Sequence, residues 1–481
     1  AQRLDLDWHE KQSVGNITAI LNDDINQLET FLNNGVNQII QISVSTIIIG
    51  FIFFYISPLI ATIAILPVPI IFLIGLFFQK KLSPRYRSIR RRVGHLNSII
   101  INNLMGIKVI KSFMTFNIEK DNLGHKSKEY QQENINAIAI SSAFNPIIRM
   151  GVLAGFLGTM LIGSYMALNG TLEVGSYSVL VFLTQRFLWP FTSLSVLIDD
   201  FERSMASCNR IFNLLDTKIR IKDKVDIVEP ESMKFDISFK NISFRYDSDI
   251  PLFKNFNMNI PHGYSVGLVG DTGSGKTTIA KLLLRLYEPD HGDIYIGDYS
   301  ISNLRINLLR EKIGIVSQES FLFDATIYEN ITYGVKNPSM DDVEQTLQQS
   351  QCKEFVDRLP DGLDTIVGER GQMLSGGQRQ RISIARTLMR NPEIIIFDEA
   401  TSSVDNKTEQ LIQNAILEII KERTSIIIAH RLSTIRNCNN IFVLNDGNII
   451  EEGNHDDLIS DQSSYYSKLW KIQTGTLFHD L

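Results

Sequence analysis

Fifty consecutive positions, 30–79, carry no Asp, Glu, Lys or Arg. An apolar helix of about 20 residues crosses a bilayer core of about 30 Å, so this run is long enough for two crossings and a turn. We place the spans at 38–56 and 59–79, with Ser57-Pro58 in the turn between them. Lys80, Lys81, Arg85, Arg87, Arg90, Arg91 and Arg92 follow with no acid among them, and the positive-inside rule puts that cluster in the cytoplasm. A cluster that abuts a span in this way does not read as a nucleic-acid patch. Two further apolar stretches, 148–168 and 175–198, are joined by a short outer loop at Asn169-Gly170-Thr171. Four spans that start and end inside place whatever follows them in the cytoplasm. Residues 1–37 mix charges with apolar positions at helical spacing, and 81–133 is a long charged cytoplasmic excursion.

Beyond about residue 233 the pattern changes. Tyr264–Val269, Glu393–Phe397 and Ser425–Ala429 are short, nearly continuous apolar runs, the pattern of strands buried on both faces of a parallel sheet. A strand-rich stretch, Phe235–Tyr246, precedes them. The expected architecture is an all-α transmembrane helical domain over 1–212, a charged linker over 213–232, and an α/β domain over 233–481.

Composition supports that division. Residues 1–216 hold 18 Lys+Arg against 15 Asp+Glu, and the remainder holds 29 against 38, so net charge moves from +3 to −9 along the 481-residue chain. The three cysteines, Cys208, Cys352 and Cys438, have no metal-ligand spacing and read as reduced thiols. The chain opens on Ala1 with no cleavable signal pattern, which leads us to expect that its natural beginning lies upstream.

Two features of the fourth span stand out. Arg186 lies near its middle, where a charge is costly, and should face other helices or a water-filled path. A substrate or gating contact and a structural partnership with Gln185 or a backbone carbonyl both remain open. Pro190 removes a backbone hydrogen bond and should kink the helix.

The chemistry lies in the second half. The run Gly270-Asp271-Thr272-Gly273-Ser274-Gly275-Lys276-Thr277, followed by Thr278, matches the phosphate-loop pattern in the required strand–loop–helix setting. Its glycines let backbone N–H groups close around phosphates. Lys276 can reach the β- and γ-phosphates, and Thr277 can ligate Mg²⁺. The helix that follows offers its positive end to the anion. The run Ile394–Phe397 ends at Asp398 and Glu399, and ligands sit at such strand ends in open α/β sheets. Asp398 can hold Mg²⁺ while Glu399 orients and deprotonates the attacking water. The run Ser425–Ala429 ends at His430, placed for a γ-phosphate contact. The α/β domain over 233–481 is therefore expected to be a P-loop NTPase, with ATP and Mg²⁺ as the implied cofactors.

Together with Leu374-Ser375-Gly376-Gly377-Gln378, these motifs resemble the ATP-binding-cassette (ABC) superfamily across the entire soluble half. The resemblance makes Leu374–Gln378 the signature, Gln318 the Q-loop glutamine that relays between the metal site and the membrane half, and His430 the switch histidine. It makes Ser403-Val404-Asp405 the D-loop and Tyr246 the aromatic that stacks on adenine. Gly368-Glu369-Arg370-Gly371 is similar to a short loop of exporters. The resemblance implies that Ser375 and the backbone of Gly376 and Gly377 face the γ-phosphate held by a partner domain, so each ATP is shared between two copies. All the matched catalytic positions are present, which implies a competent site. Asp271 falls at a variable position and carries no weight in this reading.

The permease-then-ATPase order resembles ABC exporter half-transporters. Lys111–Glu119 is similar to the coupling helix between that family's fourth and fifth spans, and Leu4–Asp24 to the loop between its second and third. The four spans then correspond to the family's third to sixth. The implied function is ATP-driven export of an amphiphile (drug, lipid or hydrophobic peptide), with the chain integral to a plasma or inner membrane and its ATPase domain cytoplasmic. The implied partners are a second half-transporter, identical or not, and membrane lipid, with no nucleic acid. The alternative, drawn from the two unmatched spans, is a membrane-tethered, ATP-dependent regulatory subunit that does not itself translocate. A soluble ABC ATPase acting on DNA or ribosomes does not fit fifty uncharged residues, and an importer does not fit the fused order.

Overall fold

The structure is a computed structural model and describes residues 1–224, 226–230, 232–246, 250–398, 406–429 and 431–474. It divides into two compact units: 12–217, and 218–481 with the short segment Gln2–Lys11 packed on it.

The first unit is entirely helical, and four helices in it are long and apolar enough to cross a membrane. The first runs from Val14 to Ile56 and widens into π turns at Ile20–Asp24 and Phe31–Gly35. Ser57 caps the next helix through a bond from the Ile60 N–H, and Pro58 stands at that helix's first position, where its missing N–H costs nothing. After Pro58–Ile65 the chain continues as Pro67–Met105, far past the membrane-length part. The segment Lys111–Glu119 is not one helix. A short helix, Ile107–Phe113, ends at Met114, which adopts a left-handed φ of 55°, and a new helix, Phe116–Leu168, begins three residues after Phe113. The single helix expected around Lys111–Glu119 is therefore divided between the end of one helix and the start of the next. The last span starts as Val174–Leu188, becomes a 3₁₀ turn at Trp189–Ser193 around Pro190, and resumes as Leu194–Leu215.

Small residues let these helices approach closely. A Cβ at Gly155 would lie 2.7 Å from Pro67 and 2.9 Å from Leu188. Phe53, Ile60, Ala61, Ile71, Leu180 and Leu188 fill the core between them. At one end, Asp24 is buried and accepts from Arg210 Nε at 2.8 Å and from Ser207 Oγ at 2.8 Å. This pair ties the beginning of the first long helix to the end of the last.

Among the described residues, the second unit holds two sheets. One is antiparallel, in the order β2-β1-β4-β5: β1 (Ile237–Phe244), β2 (Phe253–Ile260), β4 (His291–Ile296) and β5 (Tyr299–Ser300). The other has the order β10-β9-β3-β8-β7-β6: β3 (Ser265–Gly270), β6 (Ile313–Val316), β7 (Ile394–Asp398), β8 (Thr424–Ile428), β9 (Asn440–Asn445) and β10 (Asn448–Gly453). Its strands run parallel except at the β9–β10 edge. Ile394 through Phe397 are wholly buried, as a strand covered on both faces must be. A separate apolar cluster, including Leu322, Ile327, Val343, Phe355 and Ile382, supports the helical part that carries Leu374–Gln378. Cys352 and Cys438 are free and buried, and burial pushes both thiols up to about 12, so they pack as apolar groups.

Candidate functional site

The parallel sheet brings the predicted groups to one edge. Leu268 is registered with Ile428, Ile428 with Asp398, and Phe397 with Val316. The carboxyl ends of β3, β8, β7 and β6 therefore deliver the phosphate loop, the approach to His430, Asp398 and the segment bearing Gln318 to a common rim. Ligands bind at such an edge because the strand ends leave a crevice ringed by loops. Glu399, the stretch Ser403–Asp405 and His430 lie outside the described residues.

The loop after β3 has no room for a side chain at Gly270 or Gly275. Gly270 has φ 146°, and a Cβ there would fall on the Leu444 carbonyl oxygen. Gly275 has φ 104°, and a Cβ there would meet the Phe253 ring at 2.6 Å. The chain thus doubles back and starts the helix Lys276–Leu283 with its amides turned toward the loop. Lys276 is buried, and its ammonium donates to the Gly270 and Asp271 carbonyls at 2.8 and 2.7 Å and to Ser274 Oγ at 3.4 Å. It is a point charge with three donors fixed in the middle of the loop, which suits a polyphosphate.

Thr277 Oγ1 donates to Asp398 Oδ1 at 3.3 Å. Gln318 follows β6, the strand beside β7. A hydroxyl and a carboxylate in contact, with an amide on the neighbouring strand end, are hard oxygen donors. They fit Mg²⁺, which prefers one or two protein ligands and completes its shell with water and phosphate oxygens.

Tyr246 stands near the start of the phosphate-loop helix. Its hydroxyl lies 3.0 Å from Thr278 Oγ1, and its ring meets Tyr287 edge-on at 5.2 Å. The Lys281 ammonium lies 5.8 and 5.6 Å from the centres of the Tyr246 and Tyr287 rings. Sequence reasoning missed what holds this group: Glu10, in the packed segment Gln2–Lys11, accepts from Lys281 Nζ at 2.8 Å and from the Tyr287 hydroxyl at 2.6 Å. Partial burial opposes ionisation of Glu10, but the Lys281 and Tyr287 donors outweigh it and hold the carboxyl below its usual range. Burial first, then the Glu10 carboxylate, raises the Tyr287 phenol. Glu10 is far from these partners in sequence, and no local motif announces the contact.

Ser375 precedes the helix Gly376–Met389 and caps it. The Ser375 hydroxyl accepts from the Gln378 N–H at 3.3 Å, while Gln378 Oε1 accepts from the Ser375 N–H at 2.8 Å. This reciprocal capping box is the one that Ser-x-x-Gln forms at the start of a helix. Leu374 is buried in the cluster beneath, and Arg379 Nη1 donates to its carbonyl at 2.7 Å. The signature is therefore a rigid helix start that exposes Ser375.

The helical unit contains a cavity of about 800 Å³. Phe72, Phe78, Phe144 and Phe191 form apolar walls, while Gln79, Arg90, Asp199, Glu202 and Arg203 supply polar groups. Gln79 Nε2 donates to Glu202 Oε1 at 3.1 Å. Arg186 is exposed and does not line this cavity.

A nucleotide-binding α/β unit joined to four membrane-length helices defines a membrane ATPase. Residues 253–402 match the ABC transporter model, and residues 1–191 match the ABC transporter transmembrane region. The uncharacterized ABC transporter ATP-binding protein YwjA of Bacillus subtilis (strain 168) is 33% identical over 479 residues, covering 99% of this chain and 83% of that protein. The ATP-dependent lipid A-core flippase of Escherichia coli (strain K12) is 31% identical, covering 98% of this chain and 81% of the flippase. A solved bacterial Atm1-family ABC exporter with ATP bound superposes with a TM-score of 0.84 at 30% identity, covering 98% of this chain and 82% of that one. The chain belongs to the ABC transporter family, in the exporter arrangement that fuses a transmembrane region to its ATPase. It is an integral membrane protein that couples ATP hydrolysis to transport.

Proposed function

We propose that this chain is one half of a dimeric exporter that moves an amphiphile (drug, lipid or hydrophobic peptide), with Mg²⁺-ATP held between the phosphate loop of one chain and the signature of its partner. The observation that carries this reading is the convergence of Lys276, Thr277 and Asp398 on one sheet edge in a chain that also has a cavity with both aromatic and charged walls. Gly270, Thr272, Gly273, Ser274, Gly275 and Thr278 surround the phosphates with backbone amides and hydroxyls. Lys276 engages the β- and γ-phosphates, and Tyr246 stacks on the adenine. Thr277, Asp398 and Gln318 would hold Mg²⁺, which when bound neutralises charge building on the transferred phosphoryl group. Glu399 takes the proton of the attacking water, and His430 contacts the γ-phosphate. Ser375, Gly376, Gly377 and Gln378, with Asp405, complete the site from the partner. Gln318 also reports the state of the site to the membrane half.

An amphiphile suits a cavity whose phenylalanines accept an apolar body and whose Gln79, Asp199, Glu202 and Arg203 accept a polar head. A relative named as a lipid A-core flippase supports a lipid as the first substrate class to try.

The test is the full-length protein in proteoliposomes. ATPase activity should rise with the transported lipid or drug, and labelled substrate should cross the bilayer only with Mg²⁺-ATP. Glu399→Gln should abolish both. ATP turnover without movement of any member of a broad lipid and drug panel would instead favour a regulatory subunit. Wild-type turnover by Glu399→Gln would remove the assigned base.

A further inference from the structure

The phosphate loop carries a charge of the wrong sign for its task. Asp271 places a carboxylate between Gly270 and Thr272, where an anion must bind. Its backbone carbonyl belongs to the loop, accepting from Lys276 Nζ at 2.7 Å and from the Ser274 N–H at 3.2 Å. Its side chain is held elsewhere: Oδ2 accepts from the hydroxyl of Tyr465 at 2.7 Å.

Tyr465 is the first residue of the helix Tyr465–Thr474, and that helix start is anchored from three sides. The Glu451 carboxylate on β10 accepts from the N–H groups of both Tyr465 and Tyr466, the latter at 3.0 Å. Tyr466 is fully buried, and its hydroxyl lies 2.8 Å from His455 Nδ1. Ser464 Oγ accepts from the Ser467 N–H at 2.9 Å. The phenol thus reaches Asp271 from a fixed base. A phenol is a donor throughout the neutral range, and the bond to Asp271, with some burial, raises its pKa further.

We propose that Tyr465 is a positioning residue for the phosphate loop, which holds the Asp271 carboxylate on the side of the carboxy-terminal helix and thereby keeps its charge from opposing the nucleotide phosphates. The inference rests on phosphate binding by this loop and is independent of how ATP is shared between chains. Removing the phenolic oxygen leaves a carboxylate free to turn toward the anion. Removing the charge makes the tether dispensable. Two substitutions with opposite logic therefore separate this role from a structural one.

The experiment uses the full-length protein in nanodiscs. Steady-state ATPase gives KM and kcat for Mg²⁺-ATP, and a fluorescent ATP analogue gives Kd. Tyr465→Phe should raise KM and Kd about three- to tenfold, the net scale of one ordinary hydrogen bond, with kcat within about twofold. Asp271→Asn should bind ATP at least as well as wild type. In the double variant, KM should return to within about twofold of Asp271→Asn alone. The proposal is overturned if Tyr465→Phe leaves KM within about twofold of wild type. It is equally overturned if the rise persists when Asp271 is Asn, because the effect would then be general damage to the helix. Lys276→Ala serves as the control for the underlying reading: analogue binding at wild-type strength in that variant would show that the loop does not hold the nucleotide at all.

Discussion

Ser375 has a structural task that the fold makes plain and a catalytic task that we propose, and the two differ in size. Its hydroxyl accepts one backbone N–H at 3.3 Å, at an exposed position, while the reciprocal bond from Gln378 Oε1 to the Ser375 N–H at 2.8 Å does not involve the side chain of Ser375. Ser375→Ala removes only the first, so the cost sits at the low end of the capping range, about 0.5–1 kcal/mol. In a unit of this size that shifts the melting temperature by roughly 1–4 °C. If the hydroxyl also contacts the γ-phosphate across the dimer, its loss removes a charge-assisted hydrogen bond worth about 1.5–3 kcal/mol, a fall in kcat/KM of about ten- to hundredfold. Ser375→Asn separates the tasks, because Asn caps as well as Ser but has a different reach and shape. We expect Ser375→Asn to melt with wild type and still lose at least tenfold in ATPase, and Ser375→Ala to lose both. The assay pairs thermal unfolding of detergent-solubilised protein with phosphate release at saturating Mg²⁺. Wild-type turnover by Ser375→Asn, or a loss in Ser375→Ala no larger than its destabilisation explains, would refute the phosphate contact and leave the serine a cap.

Thr277→Ala should raise the Mg²⁺ concentration for half-maximal ATPase severalfold while leaving metal-free nucleotide binding near wild type, and chelation of Mg²⁺ should stop turnover entirely. Glu10 and Lys281 should show a coupling of about 0.5–1 kcal/mol in a double-mutant cycle read by chemical denaturation, since the pair is half-exposed. Because the Glu10 carboxyl is lowered in the folded state, that coupling should be full at neutral pH, should fade as pH falls through the folded pKa below the ordinary value of 4.5, and should not change between pH 6 and 8. Ile395→Ala deletes a wholly buried side chain in the strand that ends at Asp398, so it should cost about 2–5 kcal/mol and lower the melting temperature by at least about 4 °C.

The parts of this molecule that sequence reveals are those in which one physical requirement governs many adjacent residues. A bilayer excludes charge over a fixed thickness, so the first two spans are visible as one uncharged run and the other two as apolar runs with a single arginine each. A strand buried on both faces admits only apolar residues, so β7 is visible as Ile394–Phe397. A loop that wraps phosphate admits little but glycine at its tightest points, so Gly270 and Gly275 stand out. What stayed hidden depends on single contacts between distant residues. Glu10 meets Lys281 and Tyr287, and Asp271 meets Tyr465, through pairings that only the folded chain creates. The end of the short helix Ile107–Phe113 stayed hidden for a different reason: its left-handed residue is Met114, where a glycine or asparagine would have marked the turn.

The central claim is that each ATP is held between the phosphate loop of one chain and the signature of another. Chains carrying Thr272→Cys and chains carrying Ser375→Cys, bearing different tags, can be co-expressed, purified by both tags and oxidised with and without nucleotide. The account predicts a disulfide-linked product containing both tags, favoured by ATP and absent when either cysteine is missing. Efficient formation of the same bond within a single chain that carries both substitutions, with no product joining two chains, would contradict it.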